Sequence, residues 1–217
     1  MDSFLEISED VLREHPGLAL VAGVVLGVQR KPANRAVQQA KEQALPNIEN
    51  DLQQIKNAIQ PYHEFFHRYG YTCPLQEQLE RTVQRGFAQL NRFVDMLLVA
   101  EMSSGVLMGA QDFSMMKPPL RFDVAHADES FEGMRNDSSC KAGEPIIRDQ
   151  DGIVASYFQG SDKRTAIKAQ TRDVIYFGFG MNSVSIQNVV DAVEVALAAL
   201  EPCSEKVLRQ VVPPVST

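Results

Sequence analysis

Apolar positions change their spacing along this chain, and each change marks a change of structure. Phe4 to Ile7 alternates apolar and polar residues, as a short half-buried strand does. Ser8 follows as a helix N-cap with Glu9 and Asp10 in the first turn, and Pro16-Gly17 stops that helix. Leu18 to Val28 is an unbroken apolar run rich in valine and glycine, which predicts a buried strand. Ala36 to Ile59 predicts a long polar helix broken near Pro46, and Pro61 to Tyr69 continues helically to a cap at Gly70. Leu79, Val83, Phe87, Leu90, Val94 and Leu97 recur at three- and four-residue spacing. They predict two packed helices between Pro74 and Ser104, jointed at Arg85-Gly86.

From Val106 to Gly180 the texture becomes short apolar pieces between Gly, Pro, Asp and Asn, the signature of strands and turns. Two of these pieces, Ile153 to Phe158 and Val174 to Phe177, bracket a charged loop running from Gln159. Turn formers Gly160, Ser161 and Asp162 open the loop, and Thr165 and Thr171 place hydroxyls near the strand ends. Polar loops held between rigid strands are where ligand-handling groups concentrate. Ile186, Val189, Val190, Val193, Leu197 and Leu200 then form one amphipathic helix ended by Pro202, with a frayed tail from 211 to 217. Helices in the first half and strands in the second predict a mixed α/β (α+β) domain closed by a helix, not regular βαβ winding.

A chain of 217 residues buries a substantial core. Its three cysteines, Cys73, Cys140 and Cys203, are widely spaced and odd in number, which fits a reducing cytosol. The acidic start lacks the order of a signal peptide, and the longest apolar run is too short to cross a bilayer, so the expectation is a cytoplasmic protein without membrane contact. A net charge of −7 works against non-specific nucleic-acid binding. The charge is uneven, however: between Glu14 and Glu42 there is no acid, while Arg30, Lys31, Arg35 and Lys41 all fall there. These residues form either a local basic face for RNA or a solvated helix surface. Oligomeric state leaves no mark in the sequence.

His63-Glu64-Phe65-Phe66-His67 spells H-E-x-x-H, which on a helix puts two imidazoles on one face with a Glu as general base. Cys73 would have to serve as third ligand, an unusual choice for a catalytic zinc, and the motif abuts Pro61 at the start of its segment. The alternative is a surface helix turn carrying two histidines, and a zinc hydrolase ranks third among the functions considered. No G-x-S-x-G elbow, phosphate loop or dinucleotide fingerprint occurs, and Cys140 has only His126 nearby in sequence as a possible partner. No cofactor is called for.

Several segments share order and spacing with a known family. Asn91-Arg92-Phe93-Val94-Asp95-Met96-Leu97-Leu98 is similar to an N-P-x-V-D-x-x-N helix, and Gly105 to Asp112 to the x-G-x-x-D turn after it. Ser161-Asp162-Lys163-Arg164-Thr165 with Thr171-Arg172-Asp173-Val174 is similar to S-D-(K)-R-T…T-x-N/D-V. An early Gly23-Val24-Val25 and a helix ending Phe66-His67-Arg68-Tyr69-Gly70 fit the same layout. Together they resemble the B3/B4 domain, the editing module of the phenylalanyl-tRNA synthetase beta subunit, also found in free-standing proteins. The resemblance implies one such domain over 1–210, helix-rich over 1–90 and pocket-bearing over 91–200.

It further implies a pocket that receives an aminoacyl group and, in the synthetase, hydrolyses the ester of a misattached tyrosine. Pocket candidates carried over are Gly109, Gln111, Asp112, Ser161, Asp162, Arg164, Thr165 and Thr171. On that reading Asp112 and Asp162 orient an amino group, and Arg164 holds a carboxylate or a terminal phosphate. Each also has a structural reading: Asp112 as a turn cap, Arg164 as a partner of Asp162, Asn91 and Asp95 as supports beneath the pocket. Where the synthetase domain has His-Ala-Phe-Asp, this chain reads Gly109-Ala110-Gln111-Asp112, and Phe158-Gln159-Gly160-Ser161-Asp162 replaces a Gly-Gly-rich segment. Both departures stand against carrying over tyrosine specificity.

The leading expectation is a trans-editing hydrolase that deacylates mischarged aminoacyl-tRNA, with Arg30, Lys31, Arg35 and Lys163 as RNA contacts. The alternative is a non-catalytic binder of a free amino acid or similar metabolite, which the acidic net charge favours. A basic face joining Arg30–Lys41 to Lys163, Arg164 and Lys168 would favour tRNA.

Overall fold

A computed structural model describes residues 3–134 and 136–212. Strand β1 (Leu5–Ile7) leads into helix α1 (Glu9–Glu14), whose N-cap Ser8 accepts from the Val11 N–H, as its sequence predicts. Strand β2 (Ala19–Leu26) is buried along almost its whole length. Helix α2 (Arg30–Asn50) starts earlier than the polar pattern suggests and runs through Pro46; the break falls at Asp51, before α3 (Leu52–Arg68). A proline removes one N–H, and here the burial of Val37, Lys41 and Ile48 carries the helix past it.

Helices α4 (Leu75–Arg85) and α5 (Arg92–Ser104) meet across a non-helical segment that begins at Gly86, the predicted joint. That segment resets the helical phase. Leu90, expected on the packed stripe, therefore sits in the linker and is exposed, and α5 buries Phe93, Met96, Val99 and Ala100 instead. The strands of the second half are β3 (Met108–Asp112), β4 (Leu120–Val124), β5 (Ser130–Glu132), β6 (Asp137–Ser139), β7 (Pro145–Asp149), β8 (Gly152–Ser156), β9 (Gly160–Ser161) and β10 (Val174–Gly180). Helix α6 (Ile186–Ala198) follows, and a final strand β11 (Lys206–Val212), unread in the sequence, pairs with β2. Val211 and Val212 thus belong to a strand, and 213–217 lie outside the described residues.

The result is a mixed α+β fold. One sheet has the order β1-β4-β7-β8-β9 and a second the order β11-β2-β10-β3; β5 and β6 form a hairpin. Among the described residues all strand pairings are antiparallel except β1 with β4. Helix α6 lies directly on the backbone of the second sheet. A Cβ at Gly23 would come within 2.7 Å of Val193, and one at Gly178 within 2.8 Å of Val189. Helix α5 packs on α6, and α2 on α5, so α5 is enclosed on several sides. No helix among the described residues is long and apolar enough to cross a membrane.

Candidate functional site

Between α4–α5 and strands β3, β8 and β10 lies a cleft of about 310 Å³. Helix α5 contributes Val94, Leu97 and Glu101; β3 contributes Met108 to Gln111; the β8–β9 turn contributes Ser156, Tyr157, Phe158 and Ser161. Most of its wall is apolar. Tyr157 packs on Phe179 with ring centroids 4.7 Å apart, and Phe66 meets Phe158 edge-on at 5.0 Å.

Glu101 stands out in this wall. It is 4% exposed, and one carboxyl oxygen accepts from the Met108 N–H at 3.1 Å. Burial pushes the carboxyl up to about 8, the Met108 hydrogen bond opposing only in part. Gln111 also faces the cleft; its Nε2 donates to the Val154 carbonyl, leaving Oε1 buried and unpartnered among the described residues. Gln78 Oε1 and Tyr157 Oη are in the same condition, and both residues line the cleft.

The turn that shapes the cleft floor is held by a second buried carboxylate. Glu144 accepts from Ser156 Oγ, from Gln159 Nε2 at 2.9 Å, from Tyr71 Oη at 3.1 Å and from the Lys141 N–H at 3.0 Å. Ser156 Oγ in turn accepts from the N–H groups of Phe158 and Gln159, at 3.1 Å each. These contacts fix the backbone between β8 and β9.

Of the pocket candidates read from the sequence, Gly109, Gln111 and Ser161 line the cleft. The others are placed in supporting contacts around it. Asp112 accepts from Thr171 Oγ1 at 2.5 Å and from Ser114 N and Oγ at 3.1 and 2.6 Å. Asp162 accepts from the Thr165 N–H at 3.0 Å and from its hydroxyl. Arg164 makes a two-pronged pair with Asp149 at 3.0 Å on each side, and lies 3.4 Å from Asp162. Burial opposes ionisation of Asp149, but Arg164 and the N–H groups of Lys117 and Asp151 hold its carboxyl below the usual range. Asn91 caps α5, accepting from Phe93 and Val94 N–H at 3.0 Å.

One prediction follows from that pairing. Arg164→Ala strands the fully buried Asp149 and is expected to lower the unfolding free energy by about 2–3 kcal/mol in urea titration. Ligand binding in the cleft should change little. A loss below about 0.5 kcal/mol would mean that the backbone donors alone satisfy Asp149.

Sequence reasoning passed over Glu101, Gln78, Tyr157 and Glu144. The signal for Glu101 was present: it is the one acid in the apolar stretch Met96 to Met102, and an acid on a buried helix face needs a reason. Nothing comparable marks Gln78 or Tyr157, because their role depends on what packs opposite.

The remaining candidates lie elsewhere. Arg30, Lys31 and Arg35 are exposed on the first turns of α2. Arg92 sits close by, its guanidinium 4.4 Å from the Phe93 ring centroid and donating to the Thr171 carbonyl at 2.7 Å. Burial first, and then the nearby Arg30 and Arg172 cations, lower its basicity, so three guanidiniums gather where α2 begins. Lys163 is instead paired with Glu132, and Lys163, Arg164 and Lys168 share a groove with Glu132, Asp151 and Asp162. Arg172 in turn lies 3.5 Å from Glu205, so each cationic group includes a carboxylate partner.

His63 and His67 lie exposed on α3, whereas Cys73 is buried and its thiol is pushed by burial up to about 11. No group of three or more His, Cys, Asp or Glu suited to a metal ion occurs among the described residues. Burial likewise pushes the Cys140 thiol up to about 12, while His126 is exposed. Neither cysteine is poised as a thiolate nucleophile.

Comparison with known proteins places this architecture. Over 98% of its length the chain superposes on an N-terminal fragment of the phenylalanyl-tRNA synthetase beta subunit from Pyrococcus horikoshii, with a TM-score of 0.51 and 15% identity. It spans 55% of that fragment, and at this identity the likeness concerns the fold. Among curated proteins no sequence matches. Residues 70–201, from the end of α3 through α6, match the B3/4 domain and contain most of the cleft wall, so this chain belongs to the B3/4 domain family.

Proposed function

We propose that the protein is a hydrolase that deacylates mischarged aminoacyl-tRNA in trans, with the acyl side chain held in the Glu101 cleft. The observation that carries this reading is the cleft itself. Its volume of about 310 Å³ stands at the small end of ligand sites, suited to one amino-acid side chain, and it lies within the B3/4 segment. Arg30, Lys31 and Arg35, exposed along the first turns of α2, would offer phosphate contacts for the tRNA end. On this reading residues 1–210 act as one domain, and Lys163 contributes less to RNA contact because Glu132 neutralises it.

Hydrolysis adds water to the acyl carbon; the bond to the ribose oxygen breaks, and that oxygen leaves as a hydroxyl carrying the proton. The cleft wall has no Ser–His or Cys–His pair, so a positioned water would attack. Backbone N–H groups would then stabilise the oxyanion. Positioning alone is worth several orders of magnitude in favourable cases.

A second reading, a binder of a free amino acid without turnover, draws on the same lack of a nucleophile–base pair and on the net charge of −7. Deacylation of a panel of correctly and incorrectly charged tRNAs separates the two. Release of one mischarged amino acid, faster than spontaneous hydrolysis and unaffected by chelator, is the expected result. No release from any ester, together with saturable binding of a free amino acid, would replace the hydrolase by the binder.

A further inference from the structure

We infer that the main chain of Ala110 reads the main chain of the ligand. Its N–H donates to the α-carbonyl oxygen of an aminoacyl group, and its C=O accepts from the α-amino group. This rests on the reading of the cleft as the site of an aminoacyl group and names what holds the part common to all amino acids.

Strand β3 is the last strand of its sheet and pairs on one side with β10. The phase of that ladder is fixed just beyond both ends of the strand. There the Phe179 N–H donates to the Leu107 carbonyl at 3.0 Å, and the Phe113 N–H to the Asp173 carbonyl at 2.9 Å. Along an antiparallel pair, residues alternate between exchanging both bonds with the partner and turning both groups away from it. Gly109 and Gln111 therefore face β10, while Met108, Ala110 and Asp112 turn their N–H and C=O groups outward. Two of the outward N–H groups are taken: Met108 donates to Glu101 Oε1 at 3.1 Å, and Asp112 to the Thr165 carbonyl at 2.8 Å. Ala110, between them, has no partner for its N–H or its C=O among the described residues.

This open edge is the cleft wall. Met108, Gly109, Ala110 and Gln111 all line the cleft. Side chains of successive strand residues point to opposite faces, so a cavity touched by four in a row runs along the strand's edge. Gly109 and Ala110 are also the two half-buried residues of β3, its others being closed to water. The flanking caps border the same space: Glu101 lines the cleft, and Thr165 precedes Ala166, which lines it too.

Length and chemistry together select the occupant. An extended peptide added to a sheet edge pairs with every second residue. Here the N–H groups two residues to either side are occupied, which leaves an edge one residue long. A single amino-acid unit carries an N–H donor and a C=O acceptor at the spacing that facing strand residues exchange. A simple amine lacks the acceptor, and an acid or ester without an α-amino group lacks the donor. When water adds to the acyl carbon, negative charge gathers on the oxygen that the Ala110 N–H holds. The contact would therefore strengthen in the transition state.

Gly109-Ala110 is the one Gly-Ala step in the sequence. Protein made with carbon-13 in the glycine carboxyl and nitrogen-15 in alanine therefore gives one carbonyl-correlated amide signal, that of Ala110. The test follows this signal while amides of the standard L-amino acids are added in turn. At least one is expected to shift it downfield and saturably, as a new N–H···O bond does. The matching carboxamide without the α-amino group, and the matching amine without the carbonyl, should each bind about tenfold more weakly. Ala110→Pro deletes the N–H without touching the ladder, at an edge position that proline tolerates. It should weaken binding of that amide about tenfold, and any deacylation about 100-fold, in a protein that still folds. The signal itself is read on the unaltered protein, so the test does not depend on the variant.

An Ala110 signal unmoved by every amide, or moved equally by the compounds lacking the amine, would overturn the inference. The charged-tRNA panel is read separately. Release of an amino acid from tRNA with an unmoved Ala110 signal would sink this inference alone. A shifted signal without release from any tRNA would sink only the hydrolase and leave the binder.

Discussion

Lys41→Ala is expected to lower the unfolding free energy by about 3–5 kcal/mol, a large share of the total for a domain of this size. Lys41 is buried on α2, and its Nζ lies 3.2 Å from Asp95 Oδ2 and donates to the Ala88 carbonyl at 2.7 Å. Asp95 in turn accepts from the Leu90 N–H at 3.0 Å, so the pair ties α2 to the linker before α5. Both side chains are almost closed to water, at 6% and 12% exposure. Removing the lysine leaves a buried carboxylate with one backbone donor and frees the Ala88 carbonyl, and it also deletes the packed methylene stem. Lys41→Met, which keeps the stem, should recover only part of the loss, and adding Asp95→Asn to it should recover more. Urea unfolding of the four proteins measures these terms. A loss below about 1 kcal/mol for Lys41→Ala would place the pair among the weak surface-type bridges.

Gly109→Leu is expected to cut ligand binding, and deacylation if present, by about 100-fold while leaving stability within about 1 kcal/mol. Gly109 lies on β3 opposite Phe177, at the cleft wall. A Cβ there meets only Phe179 Cε2, at an ordinary 3.7 Å, so the rest of a leucine side chain extends toward the open volume. The backbone is that of a regular strand and needs no glycine. A thermal midpoint within about 2–4 °C of the parent, with binding lost, would show that the cleft is the ligand site. Retained binding would move the site elsewhere. Gly178→Leu makes the contrast, because a Cβ there runs into α6 at 2.8 Å, and that change should unfold the protein instead of blocking it.

The two substitutions show why some residues were legible and others were not. Asp95 was readable as a support beneath the pocket because it falls in the segment Asn91 to Leu98, which is similar to the family's N-P-x-V-D-x-x-N helix. Its partner Lys41 was read as exposed, on either a basic face or a solvated helix surface, since a lysine on a polar helix normally meets water; burial was decided by α5 lying against α2. Asp112, Asp162, Arg164, Thr165 and Thr171 drew attention as a polar constellation in a loop. They are brought together, but mainly as donors and acceptors for one another and for Asp149.

What the amino-acid order determined by itself was local. The Ser8 cap, the Gly86 joint, the buried run of β2 and the amphipathic α6 follow from spacing and turn chemistry that act over a few residues. The order of motifs also carried the family resemblance. Tertiary structure decided everything that depends on partners distant in sequence. It carried α2 through Pro46 and added β11 as an edge strand whose polar alternation resembles a loop. It also joined Gln78, Glu101, Gln111 and Tyr157, from four separate segments, in one cleft. Hydrogen bonds and desolvation at such a site act between neighbours in space, so the chemistry of the cleft becomes readable only once the chain has folded around it.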